Sequence, residues 1–199
     1  MSLELLLALA GFAIVTSVTP GPNNLMLLAS GVNFGFRRSI PHMMGVGLGF
    51  AAMVVIVGLG LGQVFEAYPL AYTILRYTGG AYMLWLAWKI ANSGPIGDGT
   101  EKGKPFTFAQ AALFQWVNPK AWVMAITSIA AYTVPSAYVA SVFTVGAVYA
   151  LVNIPSMSSW TLFGTGLRRF MNDPRQVRWF NITMAVLLVL SLAPLLQGH

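Results

Sequence analysis

Six apolar stretches dominate the chain, near Leu3–Ala29, Ile40–Gly62, Pro69–Ile90, Phe108–Tyr132, Ala137–Phe163 and Trp179–Leu196. Each is long enough to cross the hydrocarbon core of a bilayer as a helix, which takes about 20 residues. In lipid a helix satisfies its backbone N–H and C=O groups internally, so a run of this kind leaves little other choice of structure. Water is not an alternative solvent. Only 8% of the 199 residues are charged, against about 25% in soluble domains, and no polar coat could cover six such runs. The expected fold is therefore all-α, a polytopic membrane protein with six transmembrane helices. The third stretch is the least regular, because Arg76 interrupts it, and the fourth carries Asn118 and Lys120.

Charge between the stretches orients them. Arg37 and Arg38 follow the first; Lys89 stands at the end of the third, with Lys102 and Lys104 in the loop after it; Arg168, Arg169, Arg175 and Arg178 follow the fifth. Nine of the eleven basic residues thus fall on one face of a six-span arrangement. The other face has Glu4, Glu66 and an uncharged turn at Pro135. Basic loops stay in the cytoplasm, so both termini are expected outside. Five or seven spans would scatter the same charges over both faces. The stretch Asn92–Pro105, NSGPIGDGTEKGKP, is rich in Gly, Pro and charge and reads as a cytoplasmic loop. It separates a first three-helix repeat, residues 1–92, from a second, 107–199, with 93–106 as the linker. Three is odd, so two copies of such a unit must lie inverted relative to one another, a plan common in transporters.

Several function classes are disfavoured at once. The chain has no cysteine, which removes thiol nucleophiles and thiolate metal sites. Two histidines, one of them His199, and five acids, none inside a span, make a metal centre or a carboxylate-pair enzyme a poor fit. No metal, cofactor or catalytic group is expected. The net charge of +6 does not indicate nucleic acid, because the basic residues lie in small groups between apolar runs. The N-terminus has Glu4 and no Lys or Arg, so it does not read as a signal peptide.

Two motifs interrupt the spans at membrane depth. Thr16-Ser17-Val18-Thr19-Pro20-Gly21-Pro22-Asn23-Asn24 lies in the middle of the first. Pro20 cannot donate to the carbonyl of Thr16, nor Pro22 to that of Val18. Freed backbone groups are tolerated there only against protein or water. A plain proline kink, satisfied by Ser17 or Thr19, is the simpler reading, but Asn23 and Asn24 add a desolvation cost that a kink does not need. Asn118-Pro119-Lys120 interrupts the fourth span, and Pro119 releases the carbonyl of Gln115. A lysine at membrane depth costs about 2.5–3.5 kcal/mol unless it faces water or a partner. Lys120 lies 12 residues, about 18 Å of helix, beyond Phe108. That is too deep for its stem to reach the interface, the alternative reading. Each motif sits in the first span of its half, the placement expected of a midplane binding site. A zwitterion bound there needs a cation or helix N-terminus for its carboxylate, which Lys120 and the Asn23 region offer. The carbonyls of Thr16, Val18 and Gln115 are the expected partners of its ammonium. A third interruption, Asn153-Ile154-Pro155-Ser156, fits a cavity wall or a kink equally well.

Other features read more simply. Gly45-Val46-Gly47-Leu48-Gly49 has no strand before it and is not a nucleotide loop; Gly45/Gly49 and Gly58/Gly62 have the spacing of close helix contacts. Trp85, Trp88, Trp160 and Trp179 lie near span ends, as in an aromatic belt. His42 reads first as an interfacial hydrogen-bonder. Asn181-Ile182-Thr183 fits a glycosylation pattern but opens a span on the inner side, which excludes it.

TPGPNN at Thr19–Asn24, GFRRS at Gly35–Ser39, the glycine-rich start of the second span, GGAYMLWLAWKIA at Gly79–Ala91 and NPKA at Asn118–Ala121 together resemble the LysE/RhtB family of amino-acid exporters. The likeness runs nearly end to end. It implies export of amino acids or their derivatives across the bacterial inner membrane, driven by the proton-motive force. It would make Pro20, Gly21, Pro22, Asn23 and Asn118–Lys120 the functional core, beside the Thr19, Asn24, Pro119 and Asn153 of the same motifs. With no intramembrane acid, Lys120 is the first candidate for proton coupling and His42 the second. The expected partners are an amino-acid substrate and the lipid bilayer; a homo-oligomer is allowed but not required. The rivals are a channel or non-transporting subunit, which would show ringed polar stripes, and a membrane-embedded enzyme, which would need a nucleophile–base pair.

Overall fold

The computed structural model describes residues 1–61, 69–93, 104–171 and 173–192. Among those residues every regular element is helical. The helices are α1 (Leu3–Val18), α2 (Pro22–Ile56), α3 (Pro69–Ala91), α4 (Phe108–Gln115), α5 (Pro119–Tyr132), α6 (Tyr138–Leu167) and α7 (Pro174–Leu190). Their starts follow from the sequence. Ser2 accepts from the Leu5 N–H at 3.2 Å. Thr107 and Gln110 form a reciprocal capping box at α4, and Asp173 caps α7. Pro22, Pro119 and Pro174 each take the first position of a helix, where the missing N–H costs nothing.

The interruptions go further than kinks. The first and fourth apolar stretches are each two helices: α1 ends at Val18 before α2 begins at Pro22, and α4 ends at Gln115 before α5 begins at Pro119. Pro155, by contrast, is carried inside a continuous α6. Arg76 falls within α3, which runs through it. The loop expected around Arg37 and Arg38 does not exist. Gly35, at φ 76° and ψ 172°, turns α2 back on itself and the arginines follow in helix; this positive φ is open to glycine and rarely to others. The reversal shows in the contacts. Ser30 and Ser39 hydroxyls are 2.8 Å apart, although nine residues of straight helix span about 13.5 Å. Leu27 packs with Met43 and Val46. The linker is outside the described residues from 94 to 103, as are Gly62, Glu66 and His199.

Glycines bring the helices together. A side chain at Gly31 would strike the Thr161 carbonyl of α6, and one at Gly164 the Leu28 carbonyl of α2. Gly45 and Gly49 lie against Phe108, Ala111 and Ala112 of α4, and Gly58 against Ile129 and Val142, so the small-residue spacing marks close contacts as expected. Leu9, Ala13, Phe50, Met53, Val54, Met124 and Tyr149 form one apolar core; Met26, Met83, Leu86, Phe114, Met184 and Leu188 form another. A polar clamp joins three helices. The Asn33 and Asn181 amides exchange hydrogen bonds at 2.7 and 2.8 Å, and Asn181 also donates to the Ser93 carbonyl. The outward surface is apolar too: Leu7, Val15, Leu151 and Phe163 are all exposed. Pro22–Leu61 and Pro135–Phe170 reach mean hydropathies of 2.3 and 1.7. These are membrane helices, with lipid as the medium for those faces.

Candidate functional site

The two breaks face each other. Their ends, with the middle of α6 and the second arm of α2, enclose a cavity of about 30 Å³. Its polar wall is Thr16, Ser17, Asn23, Asn24, Asn118, Lys120, Asn153 and Ser156. Val46, Phe50, Met124 and Met157 supply the apolar wall. Of the ten residues expected to bind substrate, the cavity brings together Gly21, Asn23, Asn24, Asn118, Lys120 and Asn153. Thr19, Pro20, Pro22 and Pro119 do not line it. At the third interruption α6 stays helical and Asn153 is one of the residues lining the cavity.

Satisfaction of the broken α1 end is nearly complete, and side chains do it. The Thr16 carbonyl accepts from the Thr19 hydroxyl at 3.0 Å. The Ser17 carbonyl accepts from Asn24 and Ser156, both at 2.9 Å, and the Val18 carbonyl from the Trp160 indole at 3.2 Å. The Gln115 carbonyl receives the Asn118 N–H at 3.3 Å. So each of the three carbonyls expected to receive an ammonium already accepts one hydrogen bond, and each keeps a second lone pair. Trp160 is likewise not part of a belt but a prop for this end. Trp88 and Trp179 remain outward-facing.

Lys120 has the remaining acceptors. Its ammonium donates to the Thr19 carbonyl at 2.7 Å, the Thr19 hydroxyl at 2.9 Å and the Pro20 carbonyl at 3.4 Å. These lie at the negative end of the α1 dipole. Among the described residues no acidic side chain contacts it, and its stem lies against Gly21, where a Cβ would come within 2.7 Å of Cδ. The opposite ends of both breaks are helix N-termini, at Pro22 of α2 and Pro119 of α5, and Asn118 accepts from the Lys120 N–H at 3.1 Å. Carbonyl ends and amide ends therefore border one space, which suits a molecule carrying both charges.

A family model described as LysE type translocator matches residues 14–196. The chain belongs to that family. It is 33% identical over 191 residues to the cysteine/O-acetylserine efflux proteins of Escherichia coli K12, Escherichia coli O9:H4 and Shigella sonnei, covering 95% of this chain and 96% of each relative. No solved structure matches.

Two residues of this translocator were misread or missed in the sequence. His42 is fully buried, away from the cavity, with both ring nitrogens unpartnered among the described residues. Its ring meets Phe106 edge-on at 5.1 Å, so it is not an interfacial hydrogen-bonder. Gln115 went unnoticed as a side chain. It is fully buried and exchanges hydrogen bonds with Asn23 at 2.8 and 3.0 Å, tying one break to the other. The signal was available: a glutamine three residues before Asn118 in an apolar span has to find a partner.

Proposed function

We propose that this translocator exports neutral amino acids or small amino-acid derivatives across the bacterial inner membrane, using the proton-motive force. Six spans in two inverted three-helix repeats, residues 1–92 and 107–199 around the linker 93–106, with both termini outside, make up the carrier. The observation that carries the reading is the cavity between the two breaks, which borders carbonyl ends, amide ends and one ammonium and has no acid among the described residues of its wall. A substrate carboxylate takes Lys120 and the helix N-termini; its ammonium takes carbonyls at the end of α1. A cationic side chain would find no counter-charge there, and this restricts the substrate to neutral ones. The relatives' name, cysteine/O-acetylserine efflux protein, supports that class.

Lys120 is the only lining residue that can exchange a proton under ordinary conditions, so it is the first choice for coupling. His42, outside the cavity, is the second. The family supports a transporter rather than an enzyme. The test is export from cells carrying excess protein, over a panel of amino acids that includes L-cysteine, O-acetyl-L-serine, L-leucine and L-lysine. Neutral compounds should leave the cells, with counterflow of labelled substrate in proteoliposomes. Export of lysine alone, or conductance without counterflow, would defeat the reading.

A further inference from the structure

The cavity is too small for its proposed cargo. About 30 Å³ holds one or two waters, against roughly 300 Å³ or more in ordinary small-molecule sites. The Lys120 side chain forms part of its wall, lodged against Gly21 with its ammonium on Thr19 and Pro20. An ammonium has three donors, and this one meets three acceptors. Other carbonyls of the broken end are held by Thr19, Asn24, Ser156 and Trp160. The Thr19–Pro20 group, next to the lining residue Gly21, is where an ammonium is already received.

We propose that Lys120 occupies the subsite of the substrate's own ammonium, and that a zwitterion gains this subsite by drawing the lysine away with its carboxylate. This rests on the reading that Lys120 receives the carboxylate. The two substrate charges sit on one carbon, so their subsites must adjoin. Lys120 need retreat only about 3 Å, one hydrogen-bond length, to grip the carboxylate beside the carbonyls it left. Gly21 gives the seated stem its room, since a Cβ there would lie 2.7 Å from its Cδ. A second observation points to a ligand in this space. Ser17, a residue of the same cavity wall, is 8% exposed, and its hydroxyl is buried with no hydrogen-bond partner among the described residues. A buried hydroxyl left unspent is costly, and an incoming polar group would engage it.

The arrangement also couples binding to shape. Lys120 of α5 ties the end of α1; a bound zwitterion breaks that tie and inserts itself between the two. An amine without a carboxylate has nothing to draw the lysine off and is refused.

Cysteamine, which is cysteine without its carboxylate, and L-cysteine test this on purified protein under reductant. Binding is read by thermal shift and by competition. Wild type should ignore cysteamine. Lys120→Met should bind it at least tenfold more tightly than wild type does, because the carbonyl subsite stands vacant, and should lose L-cysteine at least tenfold. Gly21→Ala, whose Cβ pushes the lysine stem from its seat while keeping the charge, should also admit cysteamine, and it serves if the Met variant does not fold. Cysteamine binding that is equal in wild type and variants, or absent from all of them, overturns the shared subsite. If Lys120→Met loses L-cysteine yet gains no amine, the carboxylate role stands and the shared subsite fails. If it keeps L-cysteine, both fall.

Discussion

Gly49 holds the second arm of α2 against α4, and replacing it tests how tightly the cavity wall is set. A Cβ built on Gly49 finds the Ala112 Cα at 2.6 Å, its Cβ at 2.9 Å and its carbonyl oxygen at 3.3 Å. Ordinary contact begins near 3.4 Å, so in Gly49→Ala the two helices must part by about 0.8 Å. The nearest obstacle is backbone and cannot rotate aside. Overpacking of this kind costs about 1–3 kcal/mol. Alanine is also a better helix former than glycine, by about 1 kcal/mol, and this gain must be separated out. Gly11→Ala does so: nothing lies within 4 Å of its Cβ, so only the helix gain applies. At roughly 2–4 °C per kcal/mol for a chain of this size, Gly49→Ala should melt about 2–12 °C below Gly11→Ala in the same detergent. Its export should fall as well, because Phe50 beside it lines the cavity and α4 carries Gln115. Equal melting of the two variants would show that Gly49 does not set the distance between these helices.

Asn33→Ala and Asn181→Ala should each cost about 1–3 kcal/mol by stranding the other buried amide; the double variant should cost less than the two together, and simple additivity in thermal melts would deny the clamp. Lys120→Arg keeps the charge but cannot release a proton, so it should bind amino acid and lose export driven by a pH gradient; normal gradient-driven export would remove Lys120 from coupling. His42→Leu should melt no lower than wild type, since the imidazole makes no hydrogen bond among the described residues. Loss of pH-driven export in that variant, with binding intact, would move coupling from Lys120 to His42. A cysteine at Gly99, in a chain with none of its own, should be labelled only from the cytoplasmic side, and labelling from outside intact cells would reverse the topology.

Helices, breaks and close contacts were legible in the sequence because each rests on a local rule. Apolar length requires helix in lipid, proline removes a donor, and glycine spacing permits approach. Lys120, Asn23 and Asn118 could be singled out for the same reason, since a polar group at membrane depth must be accounted for. Partnership was not legible. Nothing local says that Trp160 would reach the Val18 carbonyl across 142 residues, or that Gln115 would pair with Asn23. Gly35 is a middle case. Residues on both sides are good helix formers, so the reversal looks like a loop from composition, and only the positive φ of one residue makes it. His42 follows Pro41 at what reads as a span start, yet it is fully buried with Phe106 edge-on to its ring.

The breaks answer a problem that the composition poses. A carrier for a zwitterion must present both signs of charge inside a membrane, and here no carboxylate lines the cavity. An ionised acid and a lysine in that space would attract each other and close it, at a desolvation cost to both. Breaking a helix supplies the missing sign without an ion. The end of α1 offers carbonyl oxygens carrying about half a negative charge in sum, and the starts of α2 and α5 offer the opposite. Such ends cannot titrate and cannot leave. The one mobile charge is then Lys120, which meets neutral acceptors that a stronger anion can outbid. A fixed acid in place of Thr19 would hold the lysine too firmly for a substrate carboxylate to take it, and that is a physical reason for a transport cavity with a cation and no anion.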